Sequence, residues 1–208
     1  MLNPLNPFTC QIKGDLSRAD FVVLTQLCRG KDVVEYGAGG STLLFAQIAK
    51  SVVTYETKPE WFDRVTKFLD QVPDKVCDPE VRFLEETRDG SSVKGLSQSC
   101  DVLFDDGWAM MRPAFLLEFW QDVRECAILH DTRATYAGNV LKMFLDAYEK
   151  PYDKEKWTWP PNHYLASLKS IDWNYLESNM AVLHKRNCSL YWENWNGTES
   201  ENNRVKWS

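Results

Sequence analysis

Between residues 17 and 150 the apolar positions switch back and forth between two rhythms. Short runs rich in Val, Ile and Leu read as strands, and stretches with apolar residues three and four apart read as helices. Ser17 followed by Asp20 is a capping-box signature, and Phe21, Leu24, Leu27 and Cys28 behind it share one helical face. "DVVEY" (32–36) and "SVVTYE" (51–56) are strands with a helix over 41–50 between them. "PEWFDRVTKFL" follows, with Pro59 suited to a helix start and Trp61, Phe62, Val65, Phe68 and Leu69 spaced as a buried helical face. The alternation continues through "VRFLEE", a weaker strand, and "DVLFDD", a stronger one. After these come the helix "PAFLLEFWQDVR", the strand "CAILHD" and the helix "NVLKMFLDAYEK". In the last of these, Val140, Leu141, Phe144, Leu145 and Tyr148 lie on one side. "NMAVLHK" reads as one more strand, antiparallel at the edge.

Strands alternating with amphipathic helices predict right-handed crossovers and a parallel sheet covered on both faces. The expected fold is α/β: a doubly wound, mostly parallel, Rossmann-like sheet with an antiparallel edge strand. The 208 residues are enough for one such domain. Residues 1–30 form a helical N-terminal segment, 31–150 the core and 151–208 a C-terminal segment. That last segment carries Trp157, Trp159, Trp173, Trp192, Trp195 and Trp207. Aromatic side chains at this density line a substrate mouth or a protein contact, or pack an irregular wrap around the core; packing is the expectation.

Composition narrows the classes. With 44% hydrophobic and 26% charged residues and a net charge of -6, the chain is globular and gives no support to a nucleic-acid surface. The six cysteines are scattered without a CxxC pair, which reads as reduced thiols rather than a disulfide frame or zinc site. The N-terminal stretch is too polar for a signal peptide, and no apolar run approaches a membrane span. A cytoplasmic protein with a small-molecule partner and no membrane contact is expected; the oligomeric state is left open.

The chemistry starts at "VVEYGAGGSTLL" (33–44). A glycine turn between a strand and a helix bends the backbone sharply and lets a ligand approach closely. Gly37 and Gly39 serve that turn, and Gly40 lets the helix pack near the strand. Glu56 closes the second strand nineteen residues after Gly37, where an acid accepts the hydroxyls of a ribose. An adenosine-containing ligand is therefore expected. The third glycine of a dinucleotide fingerprint is missing, and Glu35 beside the turn would repel a pyrophosphate and attract an ammonium.

"VEYGAGG", with an acid two residues before its first glycine, resembles the first motif of class I S-adenosylmethionine-dependent methyltransferases. The resemblance covers roughly residues 31–150. It implies that Glu35 meets the amino-acid end of the cofactor, Gly37 and Gly39 its methionine backbone, Glu56 the ribose and Glu86 the adenine side. The chain is then a methyltransferase acting on a small molecule, at a hydroxyl oxygen. The alternatives are a catalytically inactive protein of this fold that binds S-adenosylmethionine or S-adenosylhomocysteine, and a nicotinamide-dependent oxidoreductase.

On the acceptor side, "FDDGW" and "ILHDTR" end two strands that this fold makes neighbours, about 5 Å apart. Their layout resembles the catechol-type, metal-dependent O-methyltransferases. By that resemblance Asp105 and Asp131 are metal carboxylates, Thr132 stands where those enzymes have Asn, and Mg²⁺ is the implied ion. The lysine base of those enzymes has no equivalent in "GWAMM". Asp106 and His130 are the remaining candidates for proton transfer. Strand alternation points Asp105 and Asp106 to opposite faces, so one of the two serves.

Overall fold

The computed structural model describes residues 16–87, 91–108, 111–130 and 180–185, and the short strands 163–165, 171–172, 190–194 and 204–207. Helix α1 (Arg18–Cys28) starts on the expected capping box, in which Asp20 N–H donates to Ser17 Oγ and Ser17 N–H to Asp20 Oδ2. Then come β1 (Asp32–Tyr36), α2 (Gly40–Ile48), β2 (Ser51–Glu56), α3 (Pro59–Leu69) and β3 (Glu80–Phe83). The second half holds β4 (Cys100–Asp105), α4 (Arg112–Trp120) and β5 (Val123–His130). Five further strands are β6 (His163–Leu165), β7 (Ile171–Asp172), β8 (Met180–His184), β9 (Leu190–Asn194) and β10 (Arg204–Trp207).

The main sheet has the order β3-β2-β1-β4-β5-β8-β7. Strands β1 to β5 pair in parallel, and β8 runs antiparallel to β5. The antiparallel edge is thus a pair of strands, because the short β7 adds outside β8. A separate three-stranded antiparallel sheet joins β10, β9 and β6, where no strand was expected. The helix expected over 139–150 lies outside the described residues.

Strand alternation divides the core into two layers. Val33, Val102, Phe104, Cys126 and Ile128 face α1 and α2. Val34, Tyr36, Leu103, Ala127 and Leu129 face α4, against Met111, Phe115 and Phe119. Tyr36, Phe115 and Phe119 stack in turn, with centroids 4.7 and 4.5 Å apart. All nine residues of α2 are buried, because α1 and α3 flank it while the sheet lies beneath. Helix α3 sits further out: Val65 and Leu69 are buried, but Trp61, Phe62 and Phe68 are only half covered. No helix among the described residues is long and apolar enough to cross a membrane.

This order puts the chain reversal between β1 and β4. The carboxyl ends of those strands diverge there to opposite sides and leave a crevice.

Candidate cofactor cleft at the carboxyl edge

The glycine turn fills the reversal point. Gly37 has φ +96°, and a Cβ on it would lie 2.7 Å from the backbone of Asp106 and Gly107. Both facts require glycine. Gly37 N–H donates to Tyr55 O at 2.8 Å and Asp106 N–H to Tyr36 O at 2.8 Å, so the turn is stitched to both neighbouring strands. Above it opens a cleft walled by Gly37 to Ser41, Glu56 to Lys58 and Asp106 to Trp108.

Glu35 lies behind this turn, not in the cleft. It is fully buried on the α2 side of β1, where Thr42 and Thr54 hydroxyls donate to its Oε2 at 2.7 Å each and the Ser41 hydroxyl donates to Oε1. Burial pushes its pKa up to about 7, and the three hydroxyls only partly oppose this. The expectation of contact with the cofactor's amino-acid end is therefore corrected: alternation aims the side chain inward, and the hydroxyls hold it there. The charge argument built on Glu35 weakens too, since the carboxyl is buried away from the cleft and burial disfavours its charged form.

Glu56 does reach the cleft. Its Oε2 accepts from Ala38 N–H at 2.7 Å, and Oε1 accepts from Thr57 and Lys58 N–H at 2.6 and 2.7 Å. A carboxylate offers about four acceptor sites, so Oε2 keeps capacity for one more donor. Burial raises its pKa, against the pull of the three N–H groups. Glu86 stands outside the lining, paired with Lys58. The Lys58 ammonium also lies 5.4 Å from the centre of the Trp108 ring. Trp108, Trp61 and Lys58 all face the cleft, and none was picked out from the sequence as a site residue. Trp108 directly follows "FDDG", which is the signal that was there to be used.

The two aspartates separate as alternation requires. Asp105 is buried on the α4 face, and neither carboxylate oxygen has a hydrogen-bond partner among the described residues. Its pKa is raised well above the usual value by burial. It does not line the cleft, so the expectation that it holds a metal there is corrected. Asp106 lines the cleft instead. Its Oδ1 lies 2.7 Å from His130 Nδ1 and 3.3 Å from Arg112 Nη2. Arg112 also donates to Gly107 O at 2.7 Å and His130 O at 2.8 Å, fixing the β4 and β5 ends together. His130 is 2% exposed and sits behind Asp106, with its Nδ1 against that carboxylate. Asp131 and Thr132 lie outside the described residues.

No protein-family model matches the chain, and no curated protein does either. Solved structures do. The cofactor-bound protein Rv0187 from MTB is 15% identical, with a TM-score of 0.57 over 88% of this chain and 87% of that one. The O-methyltransferase from Bacillus cereus, in complex with SAH, is 16% identical, with a TM-score of 0.53 over 81% of this chain and 80% of that one. Likeness at this identity bears on the fold alone: the chain shares the Rossmann-like α/β fold of these two structures.

Proposed function

We propose that the cleft binds S-adenosylmethionine and that the protein transfers its methyl group to a small-molecule hydroxyl. The observation that carries the reading is Glu56, a cleft carboxylate held by three backbone N–H groups with acceptor capacity left for a ribose. The other donors and acceptors suit the rest of that molecule. The N-terminus of α2, at Gly40 and Ser41, faces the cleft and suits a carboxylate, while the Gly39 N–H is taken up by Thr42 Oγ1. Asp106, packed against Gly37, offers an anion to an ammonium. Trp61 and Trp108 offer flat apolar faces to a base, and Leu16 adds an apolar side chain to the wall.

The cofactor, when bound, supplies an electrophilic methyl group on sulfur. The chain's own work is to align an acceptor with it and to take up a proton. Asp106 takes that role only in place of holding the ammonium. It is also engaged by Arg112 and His130, and this favours a second reading: a cofactor-binding protein without transfer activity. Of the residues the catechol-type resemblance offers a cation, Asp105 does not fit, so no step is assigned to a metal.

Calorimetry with S-adenosylhomocysteine and with NAD tests the class. Micromolar binding of the first and none of the second is expected; the reverse would make the chain a nicotinamide protein. A hydroxyl-acceptor screen that reads S-adenosylhomocysteine formation then separates enzyme from binder.

A further inference from the structure

Asp20 is wholly buried, although it belongs to the first turn of α1, where capping acids are ordinarily exposed to water. Its carboxylate does two things at once. Oδ2 accepts from Ser17 N–H at 2.6 Å, closing the capping box, and the same oxygen lies 3.5 Å from His130 Nε2. The other ring nitrogen of His130 is 2.7 Å from Asp106, in the cleft. The imidazole therefore spans two carboxylates, one in the core and one at the cleft wall. It comes from β5, whose alternation turns Cys126, Ile128 and His130 toward α1.

We infer that Asp20 is a positioning residue for the cleft: through His130 it fixes where the Asp106 carboxylate stands. Donor counting supports this. A neutral imidazole has one N–H and one bare nitrogen, and a carboxylate is only an acceptor. The short Nδ1 contact to Asp106 uses an N–H, and a bare Nε2 would set its lone pair against the Asp20 carboxylate. The two carboxylates are thus matched by a ring with an N–H on each nitrogen. A carboxylate at 3.5 Å is long for a hydrogen bond, yet in a buried setting it exerts a strong field on Nε2. Asp20 thus favours an N–H on Nε2 and the ring orientation that goes with it, so that in a ring carrying both protons Nδ1–H stays on Asp106. Leu16, one residue before the cap, lines the same cleft, so the start of α1 acts on the site both by contact and through this chain. The binding part of this inference rests on the proposed cofactor, but the ring geometry does not.

Asp20→Asn keeps the shape and removes the charge. Ser17→Ala removes a capping bond and leaves the Asp20 carboxylate in place. Each variant is examined by ring-nitrogen NMR, with His130 assigned by difference against His130→Gln, and by calorimetry with S-adenosylhomocysteine. Asp20→Asn is expected to move the His130 resonances and weaken binding about fivefold or more, the scale of one lost hydrogen bond. Ser17→Ala should do neither, although both variants lower Tm. Asp20→Ser replaces Asp20→Asn if the latter does not fold. Unchanged resonances and affinity in the Asp20 variant, or the same changes in Ser17→Ala, would overturn the inference. If the wild type binds no S-adenosylhomocysteine, the cofactor reading fails, and the NMR result alone decides the role of Asp20.

Discussion

The two edges of the main sheet handle charge in opposite ways. At the amino ends of the strands, Arg124 donates to Asp101 at 2.7 Å, Ser99 at 2.6 Å and Asp32 at 2.8 Å. Asp32 also accepts from Ser51 at 2.7 Å and Lys50 at 3.1 Å. These partners hold the Asp32 and Asp101 carboxyls below their usual range. At the carboxyl ends, burial raises Glu35, Glu56 and Asp105 instead. Of five buried side-chain atoms without a hydrogen-bond partner among the described residues, four belong to Tyr36, Thr57 and Asp105 at that edge. The fifth, the Trp120 indole nitrogen, ends α4. One edge is closed by satisfied ion pairs. The other keeps raised or unpaired polar groups, of which Glu56 and Thr57 line the cleft and Glu35, Tyr36 and Asp105 lie buried behind it, at a loss of stability that a purely structural edge would avoid.

The largest effect that breaks this comparison is expected at Gly37. Gly37→Ala places a methyl 2.7 Å from the Asp106 and Gly107 backbone in a φ of +96°. The backbone conformation alone costs about 1–3 kcal/mol. Because the displaced segment carries Asp106, cofactor binding should be abolished even where the variant folds, which calorimetry on the folded fraction reads.

The next effect is in pH dependence. A carboxyl whose folded pKa exceeds its unfolded value binds its proton more tightly when folded. Its contribution is therefore most favourable below the unfolded value and is lost as pH rises. For Glu35 the window runs from 4.5 to about 7, with a ceiling of about 3 kcal/mol. Glu35→Gln should flatten the fall of stability across that window, as read by urea unfolding at several pH values. Asp32 and Asp101 have the opposite sign: their contribution is present above the unfolded value and is lost only as pH falls through the lower folded one. An unchanged slope in Glu35→Gln would contradict the burial argument.

The smallest effect is at the amino edge. Arg124 is nearly half exposed, so Arg124→Ala should lower Tm slightly, less so as salt rises, and leave cofactor affinity unchanged. A loss of affinity there would show that the edges are not independent.

What the sequence made legible follows the same division. Periodicity placed β1, β2, β4 and α3, and Ser17 with Asp20 marked the start of α1, because these depend on neighbours in the chain. The glycine turn and Glu56 were legible because spacing from a strand end fixes where such residues emerge. Three-dimensional partners were not. Glu35 sits two residues before Gly37, yet its side chain is set by Thr54 on another strand and by hydroxyls of the following helix. His130 meets Asp106 across 24 positions and Asp20 across 110, distances at which no periodic signal survives. Asp105 and Asp106 were separable in principle by alternation, but which of them faced the cleft depended on where α4 packed.

The most direct test of the cleft as an adenosine site is the affinity of Glu56→Gln for S-adenosylhomocysteine beside the wild type. Glutamine keeps the length but replaces a charged acceptor, and charge-assisted hydrogen bonds contribute about 1.5–3 kcal/mol each. The expected result is measurable binding by the wild type and at least about tenfold weaker binding by the variant. Equal affinities in the two proteins would contradict the assignment of the ribose to Glu56.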